Sequence, residues 1–502
     1  MIKGSHLSDV YATTLARMRA QDGGRSRLGI AALMWVSNSE RPLQSRELCH
    51  ALGVRRGSAG LDLEDIPEIG TILRCSLGLI TESSSTVWLV HSTLKDYLAS
   101  NQSLFQNPHA MIAEVCLTYL NFQCVRELSP TDTSAPLTFP LLGYASCYWG
   151  KHIRREETAS LTPLALSLLV GFERHISSRL LLLHYCKIMP WWELGLYRGN
   201  SPRGFTGLHG AASLGIAEVV VALLAMKEWD INAVDTNGRT ALSWAALGGH
   251  GDVVEILLQQ KDVNPDAADT GYRRTPLWWA AKGGHEEVLM LILEREDINR
   301  SPANTEYGRA PLGWGARGGH EGVVKLLLER EDIDPNTADT FSERTPLSWA
   351  AENGHEGVVK LLLGRRDTNP NTTDTIYDRT PLSWAAESGH EGIVKLLLER
   401  DDVNLNIPDS TEKTPIELAV SWGHAGIVEL LSKPRLSLPV PEDAGRASEH
   451  PSPMPSGLPP GSSQPIQWTD LLLTTPLCGI EIPSLMVAAL LIFLHLLLLP
   501  CR

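Results

Sequence analysis

The sequence predicts a mainly α-helical protein in which a small N-terminal domain and a helical connector lead into a long solenoid. Three observations carry that prediction. Seven related units open at Thr206, Thr240, Thr275, Ala310, Thr345, Thr380 and Thr414, a period of 34 or 35 residues, which is the range of solenoids built from short supersecondary units. Ahead of them, apolar runs at helical spacing and one short strand-like stretch fill residues 1–202. Behind them the composition shifts, first to Pro, Ser and Gly over residues 434–470, then to the almost wholly apolar Ile482–Leu499.

Taken in order, Tyr11–Gln21 reads as a short amphipathic helix, ended by the polar break Gly23-Gly24-Arg25-Ser26-Arg27. From Leu28 an apolar helix runs to a turn at Glu40-Arg41-Pro42, and a second helix follows. Asp62–Cys75 reads as a third. Gly78–Ile80 and Thr86–Val90, joined by Glu82-Ser83-Ser84-Ser85, read as a β-hairpin, and His91–Leu98 opens another helix. Three helices and a hairpin make the winged-helix plan, so residues 24–104 are assigned to a winged-helix domain behind an N-terminal helix in 1–23. Residues 105–202 read as a helical connector, with helices at Ile112–Phe122, Leu141–His152, Leu164–His175 and Leu180–Lys187. The Trp191-Trp192 pair is expected to pack where the connector meets the first repeat.

Each repeat in 203–433 has the same internal order. Thr-Pro opens a helix, because Thr caps free amides and Pro suits the first helical position. Gly-His closes it, Gly supplying the left-handed turn at a helix C-terminus. A second helix such as Glu-Gly-Val-Val-Lys-Leu-Leu-Leu (321–328) is apolar on one face, and a loop such as Asp334-Pro335-Asn336-Thr337 leads to an Arg before the next Thr-Pro. This plan resembles the ankyrin repeat, which implies seven ankyrin units. The opening departs from the usual Thr-Pro-Leu-His-Leu-Ala: it is mostly Thr-Pro-Leu-Ser-Trp-Ala, with a His only at His209. The recurrent Trp244, Trp279, Trp314, Trp349 and Trp384 are expected to stack as core. His250, His285, His320, His355, His390 and His424 lie a full repeat apart, unlike the close pairs of structural zinc sites, and read as turn residues.

Charge narrows the functions. The chain carries a net −14, and Arg203–Lys433 alone holds 22 Lys and Arg against 36 Asp and Glu, so the array carries the whole imbalance. An acidic array repels phosphate backbones. Eight cysteines occur, none in the array and none in a CxxC pair, which suits a reducing compartment. No phosphate loop, His-Glu-x-x-His or Gly-x-Ser-x-Gly motif is present, so the expectation is a protein that is not an enzyme and uses no cofactor or metal.

The strings LMWVSNSERPLQSRELCHALGV, LVHSTLKDYLASNQSLF, IAEVCLTYLNF and GYASCYWGKHIRREE resemble the region behind the nucleotide-binding module of fungal NACHT–ankyrin proteins, similar in plan to NOD-like receptors. The winged-helix part is similar to a region of GPI inositol-deacylase sequences. The resemblance implies a truncated signalling receptor of the non-self recognition type, with the ankyrin array as sensor and the NTPase absent. The nearest string to a phosphate loop, Gly143 to His152, has its glycines too far apart and His where a hydroxyl belongs. Two alternatives stay open: a winged-helix DNA-binding regulator, disfavoured by Asp62, Glu64, Asp65 and Glu68 against Arg74 alone, and the C-terminal fragment of a NACHT NTPase.

The expected partner is a protein on the concave ankyrin face. Two sets of positions vary among otherwise constant units: Leu247, Lys282, Arg317, Glu352 and Glu387 after Trp-Ala-Ala, and the loop-tip aromatics Tyr272, Tyr307, Phe341 and Tyr377. They predict a basic patch at Lys282 and Arg317, an acidic one at Glu352 and Glu387, and aromatic anchors at the tips. The chain is expected in the cytoplasm; within residues 480–500 the apolar run Ile482–Leu499, about 27 Å as a helix and slightly short of a roughly 30 Å hydrocarbon core, suggests a membrane tail anchor behind the linker 434–470.

Overall fold

The computed structural model describes residues 3–132, 134–156, 159–188, 203–271, 273–298 and 310–433. All lie in one compact unit, Met1–Arg435. The linker, the apolar segment Ile482–Leu499, the Trp191-Trp192 pair, Tyr272 and Tyr307 lie outside the described residues. Among the described residues no helix is long and apolar enough to cross a membrane.

The N-terminal part runs α1 (Lys3–Arg19), α2 (Gly23–Asn38), β1 (Leu43–Gln44), α3 (Ser45–Gly53), α4 (Ile69–Cys75), β2 (Ile80–Ser83), β3 (Thr86–Leu89) and α5 (Ser92–Ser100). The strands form an antiparallel sheet in the order β1-β3-β2, with Leu43 opposite Val87 and Ile80 opposite Leu89. Ser83 faces Thr86, so Ser84-Ser85 is a two-residue turn, and both have positive φ (+50° and +61°), as a primed hairpin turn requires. Three helix limits differ from the sequence reading, the first being that α1 begins at Lys3 and not at Tyr11. Gly23 to Arg27 lie inside α2, because the Asp22 carboxylate accepts from the Gly24 amide at 3.0 Å and caps the helix there. The third helix starts at Ile69 and not at Asp62: Pro67 disfavours helical backbone at Ile66, and Asp62 caps a separate 3-10 turn over Leu63–Asp65.

The next segment comprises α6 (Pro108–Leu120), α7 (Gln123–Arg126), α8 (Ala135–Thr138), α9 (Leu142–Arg155), α10 (Thr162–Leu169) and α11 (Ile176–Ile188). The predicted Leu164–His175 helix is split, since Gly171 turns left-handed at φ +76° after α10. This segment covers the open end of the first repeat, which a solenoid needs for want of a preceding unit. A Cβ on Gly210 would sit 2.7 Å from the Phe172 ring, so only glycine allows that approach. The Tyr185 hydroxyl donates to the Ser213 carbonyl at 2.5 Å, and the Arg154 guanidinium donates to His250 Nδ1 at 3.0 Å.

Seven helix pairs follow. The first helices are Gly207–Leu214, Ala241–Gly248, Pro276–Gly283, Pro311–Gly318, Pro346–Asn353, Pro381–Ser388 and Pro415–Trp422. Their second helices are Ala217–Ala225, Gly251–Leu258, Glu286–Leu293, Glu321–Leu328, Glu356–Gly364, Glu391–Leu398 and Ala425–Ser432. The Thr hydroxyls of 240, 275, 345 and 380 accept from the amide three residues on, and glycines such as Gly354 (φ +80°) end the first helices. Ala310 gives repeat 4 no such cap. Trp244 and Trp279 are fully sealed, Trp349 and Trp384 nearly so, and Trp314 is half-buried. The tryptophan column is core.

Candidate protein-binding surface

Between helix pairs the chain projects loops, here called fingers, that an aspartate organises. Asp339 Oδ1 accepts from the amides of Phe341 and Ser342 at 3.1 and 2.7 Å, while its Oδ2 accepts from Trp349 Nε1 at 3.0 Å. Asp235 with Trp244 and Asp374 with Trp384 repeat the arrangement, at 3.0 and 2.9 Å. One carboxylate thus shapes the finger and pins it to the helix behind. Adjacent fingers are joined by backbone bonds: the Thr375 amide donates to the Ser342 carbonyl at 2.9 Å and the Ser410 amide to the Tyr377 carbonyl at 2.8 Å. Sequence reasoning missed these aspartates, although an Asp five or six residues before the opening Thr of five repeats was visible.

Arg239, Arg274 and Arg344, each just before a repeat-opening Thr, are buried in the tryptophan column. The Arg344 guanidinium carbon lies 4.6 Å from the Trp349 ring and 3.7 Å from that of Trp384; Arg239 stands 5.1 and 5.0 Å from Trp244 and Trp279. Arg239, Arg344 and Arg379 face the finger aspartate of the next repeat, Asp269 at 4.0 Å, Asp374 at 3.9 Å and Asp409 at 3.2 Å, whereas Arg274 pairs with Asp269 of its own finger at 2.6 Å. A buried charge needs such a partner, and the planar guanidinium can stack and pair at once. At Arg239, Arg344 and Arg379 the guanidinium thereby links its repeat to the next one.

The Gly-His histidines do more than turn the chain. Nε2 of His250, His285, His320, His355, His390 and His424 bonds the carbonyls of Ser213, Leu247, Lys282, Arg317, Glu352 and Glu387, at 2.9–3.1 Å. Each therefore staples its repeat to the C-terminal end of the preceding first helix. Burial lowers the affinity of His285 for a proton, and burial with the Arg154 guanidinium lowers that of His250 to about 4, so the neutral ring is favoured.

The candidate contact residues divide. Leu247 is 5% exposed and belongs to the core, which corrects its place among the surface positions: an aliphatic side chain there folds inward, whereas longer charged ones reach out. Lys282 is half-buried and Arg317 exposed, each held over indole rings. Glu352 and Glu387 do not form a bare acidic patch. Arg344 Nη1 donates to Glu352 Oε2 at 2.7 Å and Arg379 donates to Glu387, so both carboxylates are neutralised from within their own repeat. The Arg-x7-Glu spacing stands in the sequence, but that its two ends meet shows only in the fold.

At the fingertips Phe341 is 63% exposed, and Ile376 and Tyr377 are each 44% exposed. Counted from the finger aspartate, Phe341 aligns with Ile376, and Tyr377 stands one place later, with Tyr272 and Tyr307. Tyr377 is partly structural, meeting the Trp384 ring edge-on at 5.8 Å. Phe341 and Ile376 are equivalent positions on adjacent fingers and form an apolar tip.

A family model described as "Ankyrin repeats (3 copies)" matches residues 179–269, 262–339, 303–374 and 347–438, which together span more than half of the chain. Among solved structures, the crystal structure of the human ASB11 ankyrin repeat domain is similar at 24% identity with a TM-score of 0.39, covering 45% of this chain and 98% of that one. No curated protein matches.

Proposed function

Because the chain belongs to the ankyrin-repeat family, we propose that it is a non-catalytic protein–protein interaction scaffold whose partner docks along the fingers and first helices of repeats 3–6. The observation that carries this reading is the exposed apolar tip made by Phe341, Ile376 and Tyr377. Solvated loop tips rarely spend aromatic and branched side chains in water, and apolar side chains exposed on neighbouring fingers suit a protein anchor. The test uses the full chain and a partner recovered by affinity capture. Replacing Phe341, Ile376 and Tyr377 together by Ser should weaken that complex about tenfold or more, while the thermal midpoint falls only by what the lost Tyr377–Trp384 contact accounts for. Binding that persists while stability falls would make these side chains structural.

The finer reading is a NOD-like receptor of the NACHT–ankyrin type acting in the cytoplasm, with residues 24–104 as a winged helix. The helix–strand–helix–helix–hairpin order and the antiparallel β1-β3-β2 sheet support that domain. Its acidic residues Asp62, Glu64, Asp65 and Glu68 precede α4 and speak against a DNA groove as its target. Salt-dependent binding of duplex DNA by the full chain would overturn this. The tail anchor rests on the apolarity of residues 480–500 alone, and alkaline carbonate extraction of the chain with and without residues 468–502 decides it.

A further inference from the structure

Each finger ends in an Arg or Lys just before its repeat opens, and the residue ahead of that cation sets the charge of the fingertip. In repeats 2, 3 and 4 this residue is Gly238, Arg273 and Gly308; in repeats 5, 6 and 7 it is Glu343, Asp378 and Glu412. The three acids have positive φ, at +52°, +54° and +63°, in the left-handed region that glycine adopts more easily. All three are exposed. Three successive fingers thus carry an acid where glycine would suit the backbone better.

The neighbouring cations do not neutralise them. Arg344 and Arg379 are turned inward and donate to Glu352 and Glu387 at the far end of the following helix, and Lys413 Nζ donates to Ser421 Oγ at 3.2 Å. Among the described residues no donor or cation closes on the carboxylates of Glu343, Asp378 or Glu412. Beside Asp378 stand Ile376 and Tyr377, and Phe341 lies two residues before Glu343, so the exposed apolar side chains and the outward carboxylates share the same tips. Such a surface attracts a basic segment and repels an acidic one. Arg273, on the finger of repeat 3, reverses the sign and so limits where that segment can lie.

We propose that the fingers of repeats 5 to 7 bind a basic, extended protein segment, its Lys or Arg side chains paired with Glu343, Asp378 and Glu412 and an apolar residue between them seated on Ile376 and Tyr377. Packed helices lie about 8–10 Å apart, and the fingers keep step with the first helices they precede. At roughly 3.3 Å per residue, an extended segment crossing the fingers meets successive carboxylates about every third residue. The inference rests on the scaffold reading and deepens it by naming the chemistry of the partner at the same tips.

The test pans a displayed random-peptide library on the immobilised full chain and measures a synthetic copy of the enriched peptide against three variants. The first neutralises the tips by Glu343→Gln/Asp378→Asn/Glu412→Gln. The second is the triple Ser variant of Phe341, Ile376 and Tyr377. The third removes three exposed acids from the second-helix side by Asp252→Asn/Glu255→Gln/Glu294→Gln. Circular dichroism checks that each folds. Enriched peptides should carry Lys or Arg three residues apart around an apolar residue. The synthetic one should bind the tip-neutral variant about tenfold or more weakly, should lose affinity for the Ser variant too, and should bind the third variant unchanged. If the Ser variant loses binding while the tip-neutral one keeps it, the scaffold reading stands and this inference falls. If the Ser variant binds unchanged, the apolar tips are not the seat and both readings fail. If the third variant weakens binding as much as the tip-neutral one, the attraction is the diffuse charge of the array and the proposal is overturned. It is equally overturned if nothing is enriched or the enriched peptides show no basic spacing.

Discussion

Replacing Trp349 by Ala tests whether the tryptophan column holds the array together. Trp349 is 7% exposed, so folding removes most of the roughly 200 Å² of surface such a side chain carries. At about 25 cal/mol per Å² that corresponds to ~5 kcal/mol, and buried Trp or Phe to Ala changes cost about 3–5 kcal/mol. The lost bond to Asp339 adds about 1 kcal/mol at most, because the amides of Phe341 and Ser342 still bond that carboxylate. A total of about 4–6 kcal/mol is expected. The effect should spread, since Arg344 sits between Trp349 and Trp384 and loses one wall of its site. Urea unfolding followed by circular dichroism gives the total. Hydrogen exchange read by mass spectrometry over Pro311–Gly318 and Pro381–Ser388 gives the spread. Trp314→Ala, in the same column but half-buried, should cost roughly half as much. A cost below about 1 kcal/mol for Trp349→Ala, or faster exchange confined to repeat 5, would refute the column as the coupling element.

Three further outcomes follow from the same geometry. Burial holds the proton affinity of His152 at about 3, helped by His109 and Arg155, and that of His175 and His250 at about 4, well below the ordinary 6.5. The unfolded chain therefore takes up protons first, so thermal stability should be flat above about pH 6.5 and fall steadily toward pH 4; a midpoint independent of pH across that window would contradict this. His320→Ala removes the bond to the Lys282 carbonyl and should cost about 1–2 kcal/mol, with faster exchange at the end of Pro276–Gly283 as the local sign. Gly354→Ala places a Cβ at φ +80° and 2.8 Å from the His390 ring, which should cost about 1–2 kcal/mol by urea titration, whereas no change would mean that the turn relaxes freely.

Much of the array was legible because its constraints are local and repeated. Thr-Pro, Gly-His and the Val/Leu spacing each act within one helix, so Thr345, Gly354 and Val358–Val359 announce caps and core wherever they recur. The burial of Trp349 and Trp384 likewise follows from a bulky apolar residue returning on one helical face. Helix limits near Asp22 and Pro67 were less legible, since a single carboxylate or ring decides where a helix starts.

By itself, then, the sequence determined the period, the fold of each repeat, the absence of a phosphate loop and the acidic charge of the array. Tertiary structure alone decided what each charge faces. Glu352 looks like a surface acid until Arg344 is seen to close on it, Leu247 looks like Lys282's counterpart until it turns inward, and His320 looks like a turn residue until it meets the carbonyl of Lys282 one repeat away. Those pairings join a loop to the far end of the helix that follows it, as at Arg344 and Glu352, or residues on different repeats 30 or more positions apart. Their energies depend on distance and burial, which no periodicity in the chain encodes.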